Sequence, residues 1–155
     1  MVKKILFWSI IVAIVIFDQI TKFLVQRTIP IDDKIEVIPG FFSLWHVTNT
    51  GAGWSLFTGQ VYLLAAVSIV IIGYVVWYAY KRETKEIFEI SLAFIAGGAI
   101  GNLIDRILYG AVIDFFDFFI IFDHFPTFNI ADSFITIGAV LLIVSSFWGK
   151  KDKRK

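Results

Sequence analysis

Four long apolar stretches constrain this chain before any reactive residue is considered. Residues 5–25, 61–80, 87–109 and 130–148 each reach the roughly 20 residues that a helix needs to cross a hydrocarbon core about 30 Å thick. Inside such a core every backbone N–H and C=O must find its partner within the segment, so these stretches read as helices. The composition agrees: 58% of the 155 residues are hydrophobic and 17% aromatic, far from the mixture of a soluble domain. The expected fold class is an all-α polytopic membrane protein, a single membrane-embedded domain over residues 1–155. Lys3 and Lys4 ahead of the first stretch give it the look of a secretory signal peptide. No small-residue cleavage site precedes Gln26-Arg27-Thr28-Ile29-Pro30, so the stretch reads as a permanent span.

The basic residues set the orientation. Lys3 and Lys4 precede the first span, Lys81, Arg82 and Lys85 separate the second from the third, and Lys150, Lys151, Lys153, Arg154 and Lys155 follow the fourth. By the positive-inside rule these regions share the cytoplasmic face, which puts both termini inside. The outer segments, 26–60 and 110–129, carry Asp32, Asp33, Glu36, Asp114, Asp117 and Asp123. The first of them has strand character over Lys34–Val37 and Phe41–Thr48 around a Pro39-Gly40 turn, so a small sheet on the bilayer is expected. Phe41, Phe42, Trp45, Trp54 and Phe57 suit the membrane interface.

Polar residues inside the spans narrow the function. Gly97 and Gly101, four apart, allow another helix to approach closely. Asn102 and Arg106 share a helix face with Asp105 beside them, and an arginine at this depth requires an acid, a carbonyl or water. Asp18 and Lys22 stand at i, i+4 with the acid first, the order that favours an intrahelical ion pair.

Two acids flank apolar runs on the outer side, Asp114 and Asp132, joined by a short aromatic loop that can bring them together. Asp132 also fits a capping box with Asn129 at the start of the fourth span, and Asp117 offers a second carboxylate three residues from Asp114. His46 and His124 read as interfacial hydrogen-bonding residues, since no HExxH motif is present to assemble a zinc protease. The chain has no cysteine, which excludes disulfides, thiolate nucleophiles and Cys-ligated metals. Neither metal nor organic cofactor is expected, nor a nucleic-acid partner.

Read in order, the motifs identify a resemblance to the lipoprotein signal peptidases, or signal peptidase II, over nearly the whole chain. It runs through Asp18-Gln19-Ile20-Thr21-Lys22, Asn49-Thr50-Gly51-Ala52-Gly53-Trp54, Gly97-Gly98-Ala99-Ile100-Gly101-Asn102-Leu103-Ile104-Asp105-Arg106, Val112-Ile113-Asp114-Phe115-Phe116-Asp117 and Phe128-Asn129-Ile130-Ala131-Asp132. Gly53 departs from the family's usual alanine. The resemblance implies an aspartic endopeptidase of the bacterial inner or plasma membrane with its active site near the extracytoplasmic face. It would cut diacylglyceryl-modified prolipoproteins just before the lipidated cysteine, and would be inhibited by globomycin. Asp114 and Asp132 match the family's catalytic dyad. Asn49, Asn102, Arg106 and Asn129 match residues lining the active site, and Asp18, Lys22 and Asp105 match supporting positions. The strand-like segment, about 26–60, corresponds to the family's extracytoplasmic β-cradle, and a monomer bedded in membrane lipid is expected.

Two other protease types lack their motifs here: neither the Gly-x-Gly-Asp of presenilin-type proteases nor the Gly-x-Ser-Gly of rhomboids occurs. A small transporter or channel, with Asp18, Lys22, Asp105, Arg106 and Asp132 along an ion path, is the non-enzymatic alternative.

Overall fold

The computed structural model describes residues 2–51, 56–81, 85–120 and 123–148. Gly53, Trp54, Arg82 and the basic residues beyond Trp148 lie outside the described residues, as does the side chain of His124. Among the described residues four helices are long and apolar enough to cross a membrane: α1 (Val2–Thr28), α2 (Val61–Lys81), α3 (Glu86–Tyr109) and α4 (Ile130–Trp148). α1 outruns its apolar core because Gln26, Arg27 and Thr28 continue the helix as it emerges. Pro30 then stops it, since the residue before a proline is pushed out of the helical region. At about 1.5 Å per residue, its 27 residues exceed the hydrocarbon thickness and leave both ends in the interface.

α3 is the centre of the bundle and packs against α1, α2 and α4. Half of its most apolar stretch is buried inside the protein, against 6% for α2, which leaves an apolar surface suited to lipid. Small residues permit this crowding. A Cβ on Gly97 would come within 3.0 Å of Ile14 of α1, one on Gly101 within 2.5 Å of the Asp18 carboxylate, and one on Gly98 would overlap the Ala131 carbonyl of α4. The close approach expected at Gly97 and Gly101 is therefore present, with α1 as the partner, while Gly98 seats the start of α4.

Outside the bundle, β1 (Lys34–Ile38) and β2 (Phe42–Asn49) form an antiparallel hairpin in which Glu36 faces Ser43. The outer sheet is not confined to residues 26–60. A third strand, β3 (Val112–Ile120), pairs antiparallel with β2, and a two-residue β4 (Asp123–His124) pairs with the end of β3. The aromatic loop expected between the two acids is thus mostly strand. Gly110 makes the turn possible: it ends α3 in the left-handed region at φ 68°, its N–H donating to the Arg106 carbonyl, and the strand begins two residues later.

The sheet is tied to the bundle on both sides. Phe115 packs with Val25 and Ile29 at the end of α1. His46 is buried with Nδ1 2.8 Å from the Ile29 carbonyl, an acceptor, so this nitrogen carries the proton and clips β2 to the exit of α1. Phe42 and Phe118 stack at 4.7 Å, while Phe41 and Phe57 are exposed as interfacial residues require.

Candidate active site

Asp114 and Asp132 reach the same polar centre from different elements. Asp114 is the third residue of β3, opposite Val47 of β2, and is buried. Asp132 stands in the first turn of α4. Asn129 joins them. Its Nδ2 donates to Asp114 Oδ1 at 2.7 Å, and its Oδ1 accepts the Asp132 backbone N–H at 2.9 Å. Asp132 Oδ2 accepts the Asn129 backbone N–H at 3.2 Å in return, which completes the capping box. The cap and the site are therefore one structure, because the turn that starts α4 also aims Asp132.

Each of the four carboxylate oxygens accepts an N–H. Asn49 Nδ2 donates to Asp114 Oδ2 at 2.9 Å, and Asn102 Nδ2 donates to Asp132 Oδ1 at 2.7 Å. Asn49 is itself held by the Gly51 N–H, which donates to its Oδ1 at 2.9 Å. Arg106 Nη2 donates to the Gly51 carbonyl at 3.3 Å, so the deep arginine finds a carbonyl as expected. Asp132 and Asp114 both lie close enough to act on its charge.

Burial, and after it the negative charge of Asp132, pushes the Asp114 carboxyl up to about 7, against the opposing hydrogen bond from Asn49. A carboxyl raised by burial and by a neighbouring carboxylate favours a state in which the two acids hold a single proton between them. Such a pair offers one acid and one base at neutral pH.

Behind this pair lies a second cluster. Lys22 Nζ sits 2.9 Å from Asp18 Oδ2, 2.8 Å from Asp105 Oδ2 and 2.9 Å from Asn102 Oδ1. Asp18 Oδ1 accepts the Ala131 N–H of α4 at 2.9 Å, and Asp105 Oδ2 accepts the Ile113 N–H of β3 at 3.1 Å. Gln19 joins from α1, donating to Asp105 Oδ1 at 2.9 Å. Pairing at i, i+4 does not reach Gln19, although an amide inside an apolar span is itself a signal. Among the described residues every buried side-chain nitrogen and oxygen has a partner, and no three His, Cys, Asp or Glu side chains are grouped as a metal requires.

Asp117 is placed elsewhere. It pairs with Ser43 and lines a cleft of about 250 Å³ with Lys34, Glu36, Ser43 and Phe119 on the sheet. Three residues along a strand reverse the facing of a side chain, which explains its separation from Asp114.

The family described as signal peptidase (SPase) II matches residues 10–148. The lipoprotein signal peptidase of Listeria monocytogenes serotype 4a (strain HCC23) is 41% identical over 142 residues, covering 91% of this chain and 92% of that protein. That of Staphylococcus aureus (strain JH9) is 38% identical over 150 residues, covering 95% and 92%. Among solved structures, a bacterial membrane enzyme determined by the in meso method at 2.3 Å superposes with a TM-score of 0.86 at 35% identity, over 96% of this chain and 91% of the other. A second such enzyme, at 1.9 Å, gives a TM-score of 0.79 at 37% identity over 89% and 90%.

Proposed function

The chain belongs to the signal peptidase II family of bacterial membrane peptidases, and from that premise we propose that it is an aspartic endopeptidase. Its substrates are diacylglyceryl-modified prolipoproteins, cut just before the lipidated cysteine, with Asp114 and Asp132 as the catalytic pair. One observation carries the reading. Two carboxylates that share Asn129 have all four oxygens directed by N–H donors, at the end of the bundle that carries the sheet.

The chemistry needs one proton between the two acids. The ionised carboxylate takes a proton from water as the water oxygen attacks the scissile carbonyl carbon, and the protonated partner gives its proton to the carbonyl oxygen. The tetrahedral intermediate then collapses: the C–N bond breaks, the departing nitrogen takes the proton first drawn from water, and the hydroxyl proton returns to the pair. Neither metal nor organic cofactor has a step in this scheme. Arg106 and the turn Asn49–Gly51 orient Asp114 and offer donors to substrate backbone.

The basic residues support a topology with both termini in the cytoplasm and the catalytic pair facing outward. The protein acts as a monomer, and globomycin occupies the same site as substrate. The transporter alternative gives way on family membership. It is further weakened by burial, because Asp18 and Asp105 are fully enclosed and Lys22 is 2% exposed, saturated by three acceptors and so closed to an ion path.

The test is incubation of purified protein with a diacylglyceryl-modified prolipoprotein and with the same precursor unmodified, followed by mapping of the new amino terminus. The expected terminus is the modified cysteine, with the unmodified precursor cut poorly. Cutting at another position, or equal turnover of the two precursors, contradicts the proposal.

A further inference from the structure

We infer that Lys22 is a positioning residue that fixes which way the Asn102 amide points and thereby gives Asp132 its hydrogen-bond donor. The inference rests on the reading of Asp132 as one half of the catalytic pair.

An ammonium has three N–H donors and no acceptor. Those of Lys22 meet Asp18 Oδ2, Asp105 Oδ2 and Asn102 Oδ1, all within 2.9 Å. No proton is left over for substrate, so Lys22 cannot act on the reaction directly. Its effect passes through Asn102, a buried residue whose carboxamide shows oxygen on one side and NH2 on the other. Only the oxygen can face an ammonium. A flipped amide would also set NH2 against Asn129 Nδ2, which lies 3.1 Å from the same oxygen. With both donors on that side, the Asn102 NH2 is obliged to turn to Asp132 Oδ1, at 2.7 Å.

The lysine thus excludes an alternative in which Asn102 turns its own oxygen toward the Asp132 carboxylate. That state would lose a charge-assisted hydrogen bond and put two acceptors face to face. A hydrogen bond of this type sustains a rate difference of about ten- to a hundredfold.

Replacing Lys22 alone leaves two buried carboxylates without their cation. Asp18, Lys22 and Asp105 together carry one net negative charge, and Lys22→Met combined with Asp105→Asn preserves that charge. The assay is steady-state cleavage of lipidated precursor per folded molecule, with Asp105→Asn alone as the reference. The expected result is a kcat lower by about ten- to a hundredfold with KM within about twofold. Adding Asn102→Leu should lower kcat by less than about threefold more, because residues acting through one contact are not additive. A kcat equal to that of the reference, or a full multiplicative loss on adding Asn102→Leu, overturns the inference. A purely structural lysine would change the folded fraction and leave kcat per folded molecule in place.

Lys22→Arg covers the case in which the neutral variants do not fold. A guanidinium also carries donors alone, so the Asn102 amide should stay oriented and kcat within about fivefold of wild type; folded but inactive Lys22→Arg would overturn the inference. Asp132→Asn in the same assay separates the two proposals. Normal cleavage by Asp132→Asn removes the catalytic pair itself. Inactive Asp132→Asn beside an unimpaired Lys22→Met/Asp105→Asn removes the lysine's role and leaves the pair standing.

Discussion

Asp18→Asn should lower stability well before it abolishes chemistry. Both oxygens of Asp18 accept: Oδ1 takes the Ala131 N–H, and Oδ2 faces Lys22 Nζ at 2.9 Å and Gln19 Nε2 at 3.3 Å. An asparagine has a single oxygen, so in either orientation its NH2 meets a donor. Removing one partner from a buried ion pair costs about 3–5 kcal/mol. Here Lys22 keeps Asp105 and Asn102, so the loss falls somewhat below that range, about 2–4 kcal/mol. Both side chains are enclosed, at 0% and 2% exposure, and no allowance for solvent screening is needed. At about 2–4 °C per kcal/mol for a chain of this length, the shift in Tm is on the order of 10 °C. Thermal unfolding of the detergent-solubilised protein reads it, paired with kcat per folded molecule. An unchanged Tm would refute the argument from saturated acceptors, and a stable but wholly inactive Asp18→Asn would move Asp18 into the catalytic set.

Asp114→Asn and Asp132→Asn should each abolish cleavage of a lipidated precursor while folding persists, and the double variant should be hardly worse than either single one. Asp117→Asn, whose side chain lines a separate cleft on the sheet, should retain measurable activity. With Asp114 pushed up to about 7, the singly protonated pair loses its proton above that pH, so kcat/KM should fall by about tenfold per unit on the alkaline side. A profile flat to about pH 9 would contradict this. Gly98→Ala forces a Cβ into the Ala131 carbonyl and should lower both Tm and activity, whereas Gly73→Ala, with open space around it on α2, should be neutral or stabilising by up to about 1 kcal/mol.

What could be read from the residues divides by the range of the interaction. The spans are legible because apolar length is a local property, and the start of α4 because Asn129 and Asp132 carry the capping spacing in themselves. The Asp18–Lys22 pair follows from one helical turn, but its third member, Asp105, comes from another helix and is invisible to spacing. β3 escapes for a related reason. Val112–Ile120 has acids at Asp114 and Asp117, three apart, so the period-two alternation of a half-buried strand is broken and the segment reads as a loop. Its state depends on pairing with β2, a contact some 65 residues away in sequence, and that register is what carries Asn49 to Asp114. The donor on Asp114 was therefore legible only through the motif, not through any local pattern.

The two sets of acids differ in what holds them, and the difference separates frame from chemistry. Asp18 and Asp105 accept backbone N–H groups of other elements, Ala131 of α4 and Ile113 of β3, so each ionised carboxylate is a tertiary link as well as a partner of Lys22. Protonating either would place a hydroxyl where a donor already points and would loosen the seat of α4 or β3. Asp114 is held instead by the side-chain amides of Asn49 and Asn129. Asp132 is held by the Asn102 amide and by a backbone N–H at the start of its own helix. A proton on Asp114 or Asp132 therefore disturbs a side-chain amide or a capping N–H, and the Ala131 and Ile113 links between elements stay in place. On the proposed mechanism, the pair of acids that exchanges a proton in each turnover is held in this way, beside a frame whose carboxylates link α4 and β3 to the bundle.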